Sequence, residues 1–208
     1  MDECAVPRRK AYILTSEEET PRNRFSIPLL KSIGFDVVVF PYIKHDDPII
    51  SNKTSMMKIY EMIVNSGETY SYVFEDDINV MESITLSDIL KYEAISPRLF
   101  FLGCCIPEYQ TPSNYKKREE KLDERDVIVL SGAVRGIHAL GLSKDVAQEL
   151  LNYAKKSEQR HMDMILEEFT LINPANVYRY DLESSMDGHR GMFFQDRTQF
   201  CSTLIQNY

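Results

Sequence analysis

The stretch Tyr70-Ser71-Tyr72-Val73-Phe74-Glu75-Asp76-Asp77 runs an apolar, strand-forming segment straight into three consecutive carboxylates. β-Branched and aromatic side chains suit a pleated, buried surface, so residues 70–74 read as a strand. Its carboxyl end then carries the acidic triplet, and that end is where open α/β sheets hold their ligands. Three neighbouring carboxylates repel one another. Holding them together without a cation raises at least one pKa, so a hard divalent metal with oxygen ligands is the natural partner. Magnesium and manganese both bind carboxylate and phosphate oxygens and leave positions open for substrate. Alternation along an extended segment directs Glu75 and Asp77 to one side and Asp76 to the other. Glu75 and Asp77 are therefore the expected metal-facing pair, Asp77 foremost. Taken alone, the triplet reads equally well as a solvated acidic turn.

Outward from this strand, apolar runs alternate with amphipathic stretches, the pattern of an α/β layer structure with a mostly parallel sheet. Upstream, residues 11–14 predict a short strand and 21–33 a helix that Pro28 kinks or interrupts. Residues 36–40 predict a buried strand stopped by Pro41. A helix over 51–65 follows, with Met56, Ile59, Tyr60, Ile63 and Val64 inward at helical spacing and Gly67 ending it. Downstream, a helix is expected near 86–93 and strands at 99–102 and 127–130. Between those strands, residues 115–125 alternate in charge and read as a solvated loop. Residues 131–136 carry two glycines and read as a turn. A short apolar stretch, 137–142, leads to Ser143, the expected N-cap of a helix over 144–155. A last strand is expected at 177–180, and beyond Asp181 the pattern reads as a tail.

The chain has 208 residues, 43% of them apolar and 27% charged, a composition that fits one globular domain and excludes disordered and collagen-like classes. Its longest apolar runs fall far short of the roughly 20 residues of a membrane helix, and no secretory leader follows the basic start, so no membrane insertion and a cytoplasmic address are expected. A net charge of −8 opposes nucleic-acid binding, which needs a basic face. Any phosphate must be gripped locally, by a metal or a few arginines. The four cysteines match neither a disulfide framework nor a zinc pattern and read as free thiols.

The strand end Tyr72-Val73-Phe74-Glu75-Asp76-Asp77 resembles the DxD-type signature of GT-A glycosyltransferases, whose lipopolysaccharide-type branch often writes it Glu-Asp-Asp. The resemblance covers about residues 11 to 190. Tyr12-Ile13-Leu14-Thr15 with Arg22 and Arg24 looks like the first nucleotide-binding strand and loop. Residues 132–151 look like that branch's Gly-rich turn, short strand and helix. The resemblance is strongest to chlorella-virus-encoded members. It implies a GT-A fold with a central, mostly parallel mixed sheet flanked by helices, in one catalytic domain that begins a longer polypeptide.

It also implies roles. Thr15, Arg22, Arg24, Glu75, Asp76 and Arg190 would bind the nucleotide sugar, and Asp77, Glu75 and His189 the metal, Mn2+ or Mg2+. His189 qualifies because many GT-A enzymes take a further ligand from a C-terminal His, and Gly188 and Gly191 let its backbone approach a diphosphate closely. Arg190 would meet the β-phosphate bidentately. Arg160-His161-Met162-Asp163 resembles the segment whose Asp touches sugar hydroxyls, making Asp163 and His161 the catalytic candidates. Without that resemblance, Asp163 is a first-turn carboxylate favoured by the helix dipole. His45 reads as a loop residue and His138 as structural.

The expected function is transfer of a hexose or deoxyhexose, glucose or L-rhamnose type, from a UDP-sugar to a glycan acceptor, in viral capsid glycan synthesis in the host cytoplasm. The alternatives are a magnesium-dependent phosphotransferase or phosphatase and a non-catalytic nucleotide- or glycan-binding module.

Overall fold

The structure is a computed structural model that describes residues 8–80, 82–105, 120–121, 127–130, 132, 135–178 and 189–200. Its elements are β1 (Lys10–Thr15), α1 (Pro21–Ile33), β2 (Asp36–Pro41), α2 (Pro48–Asn65), β3 (Tyr70–Glu75), β4 (Ile78–Val80), α3 (Leu86–Glu93), β5 (Leu99–Cys105), β6 (Glu120–Lys121), β7 (Val127–Leu130), β8 (Arg135–Ser143), α4 (Lys144–Lys156), α5 (Met162–Ile172), β9 (Ala175–Tyr178), β10 (His189–Gly191) and β11 (Phe193–Gln195). The main sheet has the order β2-β1-β3-β8-β5-β9-β7-β6, with β10 also on β5, and β11 pairs with β4 in a separate ribbon. In its central part β1, β2, β3, β5 and β9 run one way and β8 runs against them. The class is α/β, a mostly parallel central sheet flanked by helices, as the alternation predicts.

Period-two alternation along the strands divides the core into two faces. Tyr12 and Leu14 of β1, Val73 of β3, Phe101 of β5 and Leu140 of β8 pack with α2, α4 and α5. Ala11, Ile13, Tyr72, Phe74, Phe100 and Leu102 pack with α1 and α3 on the other face, joined there by Phe193. The helices start where local chemistry says they should. Thr20 caps α1 by accepting from Asn23 N, with Pro21 at the first helical position, and Gly34 closes it in the left-handed region at φ 114°. Thr85 caps α3 through a reciprocal box with Asp88, and Ser143 caps α4 by accepting from Val146 N.

Several expectations need correction. Pro28 lies inside α1 without ending it. It sits on the exposed side, where the carbonyl it deprives of a partner can meet water. Strand β2 is an edge strand, with Val39 47% exposed, and Pro41 is part of it; a β-branched run alone does not distinguish an edge from a buried strand. Helix α2 starts three residues earlier than the predicted 51, at Pro48 behind an Asp47 cap, and closes at Ser66 rather than Gly67. Glu120 and Lys121, read as loop, pair with β7; the rest of 115–125 lies outside the described residues.

The segment beyond 181 is not wholly tail. β10 pairs with 103–105 of β5 where β9 leaves off, and Phe193 is fully buried against Phe74 at a ring distance of 5.1 Å. Its strands are too short to give a periodic signal. Cys104 at the end of β5 is buried and Cys105 half-buried; Cys4 and Cys201 lie outside the described residues. Among the described residues no helix is long and apolar enough to cross a membrane.

His138 on β8 is structural. Its ring is 1% exposed, with Nδ1 2.7 Å from Gly136 O and Nε2 2.9 Å from Phe193 O, tying β8 to β11. Burial, only partly offset by those carbonyls, lowers its pKa to about 4 from 6.5. A histidine depressed on folding contributes stability that is full above the unfolded value and is lost as pH falls from 6.5 to 4. The loss expected across that window is roughly 3 kcal/mol. Urea midpoints at pH 7 and pH 4 measure it, and His138→Gln should flatten that part of the slope.

Candidate functional site

Because β1, β3 and β5 are co-directional, their carboxyl ends collect on one edge of the sheet. Thr15 ends β1 and Glu75 ends β3. On the same edge, Arg135 at the start of β8 and His189 at the start of β10 both pair with Cys105, the end of β5. The loop from β1 and the first turn of α1 bring Arg22 over this edge, and α5 brings Asp163, whose Oδ2 accepts from Gly136 N at 3.1 Å. A cavity of about 410 Å3 opens here, lined by Arg22, Glu75, Asp76, Asp77 and Gln195 together with Tyr42, Pro48 and Asn52.

Within the triplet the side chains divide as alternation predicts. Asp76 is turned towards β1 and α1: Thr15 Oγ1 donates to its Oδ2 at 2.6 Å and Arg22 Nη1 to its Oδ1 at 3.2 Å. Glu75 and Asp77 share one partner, Gln195, whose Nε2 donates to Glu75 Oε2 at 2.9 Å and approaches Asp77 Oδ1 at 3.5 Å. Arg22 Nη1 also lies 3.8 Å from Asp77 Oδ2. Asp76 and Asp77 are 4% and 6% exposed, so these charges are largely out of water.

Burial is the leading cause that lifts all three carboxyls above the ordinary carboxylate range. For Glu75, lifted well above it, repulsion from Asp77, Asp163 and Asp76 adds to burial. For Asp76 the hydrogen bond from Thr15 and the charge of Arg22 oppose the rise. For Asp77, Arg22 and Gln195 do so. The phenol of Tyr42 is pushed up by burial and then by the same three carboxylates. Among the described residues lining the cavity, three carboxylates face the single guanidinium of Arg22.

Beside them lies a buried hydroxyl without a partner. Tyr60 on α2 is fully buried, and its OH makes no hydrogen bond among the described residues. The charges acting on it are those of Asp163 and Glu75. An orphaned donor of this kind, beside excess negative charge, marks a place completed by something other than protein. Tyr60→Phe should accordingly leave the unliganded protein as stable or more stable by up to about 1 kcal/mol. A fall in the urea midpoint on that substitution would show that the hydroxyl is already satisfied.

The other expected residues are placed as follows. Thr15 is fully buried and holds Asp76. Arg24 points away, pairing with Glu19 where both are well exposed, and does not line the cavity. The charge of Asp163 acts on Glu75, but Asp163 does not line the cavity. His161 precedes α5 as its N-cap without a side-chain cap bond and is not part of the lining. The backbone of His189 and Arg190 is in β10 on the site's edge; their side chains lie outside the described residues.

Gln195, Tyr42 and Asn52 are not among the site residues expected from the sequence, and Tyr60 reads there only as part of the inward stripe of α2. For Gln195 a signal exists: Met192-Phe193-Phe194-Gln195 is an apolar run delivering a polar residue, a short version of the pattern at 72–75.

Among the described residues no three His, Cys, Asp or Glu groups converge as a ready metal cage. The donor set instead fits an ion that arrives with phosphate. Magnesium-like ions take one or two carboxylates, keep waters and complete their shell with substrate oxygens. Glu75 and Asp77 would supply the carboxylates.

No family model matches the sequence, and no curated protein matches it. Solved structures with a similar fold include A197 from STIV, 11% identical with a TM-score of 0.43, covering 82% of this chain and 81% of that one. They also include UDP-glucose pyrophosphorylase complexed with UDP-glucose, 13% identical with a TM-score of 0.44, covering 83% of this chain and 73% of that one. Likenesses this loose assign no residue, and the site rests on its own geometry.

Proposed function

We propose that this chain is a metal-dependent glycosyltransferase of GT-A type, moving a hexose or deoxyhexose, glucose or L-rhamnose type, from a UDP-sugar to a glycan hydroxyl. The observation that carries the reading is the excess, among the described residues lining the cavity, of buried carboxylate over cation, with Glu75 and Asp77 side by side through Gln195. A diphosphate would place its charge beside Arg22, and Tyr42, Pro48 and Asn52 would line the same cavity around the rest of the nucleotide. A bound Mn2+ or Mg2+ would supply Lewis-acid stabilisation of the departing UDP.

The chain's own residues have separate tasks in this reading. Glu75 and Asp77 hold the ion, with His189 as a further candidate ligand. Asp76 is occupied with Arg22 and fixes the guanidinium for the phosphates, so its role is orientation. Arg22 takes up negative charge as the leaving group departs. Asp163, held by Gly136 N near Glu75, faces the sugar as hydroxyl acceptor or catalytic carboxylate, with His161 and Arg190 as further candidates. The resemblance to chlorella-virus enzymes extends the proposal to capsid glycans made in the host cytoplasm by one domain of a longer polypeptide.

The test is incubation with UDP-glucose and UDP-L-rhamnose, with and without Mn2+. Metal-dependent release of UDP, abolished by chelator, is expected. Free phosphate from simple phosphomonoesters without UDP binding would favour the phosphatase reading. UDP binding with neither donor hydrolysis nor transfer would favour a binding module.

A further inference from the structure

The amide of Gln195 sits in an unusual position for a neutral side chain. Its Nε2 spans Glu75 Oε2, at 2.9 Å, and Asp77 Oδ1, at 3.5 Å, while its Oε1 accepts from Arg197 Nη2 at 3.1 Å. Two carboxylates converging on one point need positive charge, and an amide offers only the partial charge of its N–H donors. The mount is firm. Gln195 pairs with Ile78, Asp196 N donates to Asp77 O at 2.8 Å, and Phe193 anchors β11 in the core. The Tyr60 hydroxyl, buried and without a hydrogen bond among the described residues, also feels the charge of Glu75.

We propose that Gln195 is a positioning residue that holds Glu75 and Asp77 together in the cation's place and becomes a third protein oxygen ligand when the cation binds. The inference rests on the metal-dependent reading above. The terminal amide torsion of Gln is broad and roughly two-fold, so rotation exchanges nitrogen for oxygen without moving the strand. Amide oxygens are ordinary ligands of hard cations. The rotation gives up the bond from Arg197, which is made on the exposed side and costs little to break.

Mn2+ binding to the whole chain, with UDP present, is read by the paramagnetic signal of the free ion and by water-proton relaxation. Gln195→Ala should weaken Mn2+ roughly 10- to 100-fold and raise the relaxation of the bound ion as water takes the vacated position. Gln195→Glu, which keeps an oxygen at the same reach, should match or exceed the wild-type affinity. Arg197→Ala should leave affinity equal or higher, because the amide then turns without losing the bond from Arg197 and gives up only its own bond to Glu75.

A purely structural clamp would lower the thermal midpoint of Gln195→Ala while leaving Mn2+ affinity and relaxation unchanged, and that result overturns the inference. If Gln195→Ala does not fold, Gln195→Glu decides: weaker Mn2+ binding than wild type overturns it. Wild-type protein that binds no Mn2+ with or without UDP removes the functional reading itself, and this inference with it.

Discussion

Asp77→Ala is expected to abolish the stabilisation that UDP and Mn2+ together confer. A ligand at about 100 times its dissociation constant adds roughly 2.7 kcal/mol. For a chain of this size each kcal/mol moves the thermal midpoint by about 2–4 °C, so the wild-type shift should reach several degrees. Asp77 is the triplet member least replaceable in this account, since it is buried, adjacent to Glu75 through Gln195 and close to Arg22. The unliganded variant should not be less stable near neutral pH. Burial raises the Asp77 pKa on folding, and stability from a raised carboxyl is present below its unfolded pKa and lost as pH rises through the folded one. At neutral pH, above the unfolded value, that rise is a burden that alanine removes. A variant with an intact UDP and Mn2+ shift would take Asp77 out of the site.

Among the glycines whose surroundings are described, Gly191→Ala should be the most destabilising added methyl. Gly191 has φ 120°, where a side chain is strained, and an added Cβ would stand 2.1 Å from Leu102 O and 2.7 Å from Gly103 Cα. Both obstacles are backbone of β5 and cannot turn aside. The strand must separate, losing the 2.7 Å bond from Met192 N to Leu102 O and the packing of Phe193 behind it. Strain alone costs about 1–3 kcal/mol, and the lost pairing and burial should take the total to about 4 kcal/mol or more. Gly67→Ala is the matched control. Nothing lies within 4 Å of its added Cβ, and the change should stay within about 0.5 kcal/mol. Urea midpoints of the two variants compare them, and equal stability would mean that β10 does not sit against β5 as described.

What the sequence allowed to be read follows the length of each periodic signal. Helix α4 was legible because the cap at Ser143 and an apolar stripe coincide, whereas the caps of α1 and α3 at Thr20 and Thr85 show only in the structure. The inward stripe of α2 was likewise visible, although Asp47-Pro48 rather than Ser51 sets its start. Strand β3 was legible because its apolar side chains are buried on both faces up to Glu75. β10 and β11 were not, because three-residue strands carry no period and earn their place only by pairing with distant β5 and β4.

The same reason hid part of the site. Glu75, Asp76 and Asp77 announce themselves as neighbours in sequence. Gln195 joins them only across the fold, and the orphaned hydroxyl of Tyr60 looks from the sequence like one more core aromatic. Arg22 and Arg24 were equivalent on paper. The helical turn sends Arg22 to Asp76 and Arg24 to Glu19 in solvent.

The acidic triplet as the seat of a divalent ion that carries a nucleotide diphosphate is tested most directly by calorimetric titration of UDP into the wild-type chain, once with Mn2+ and once with chelator. The account predicts binding with Mn2+ and none, or far weaker binding, with chelator. Equal UDP affinity in both solutions, or no binding in either, would contradict it.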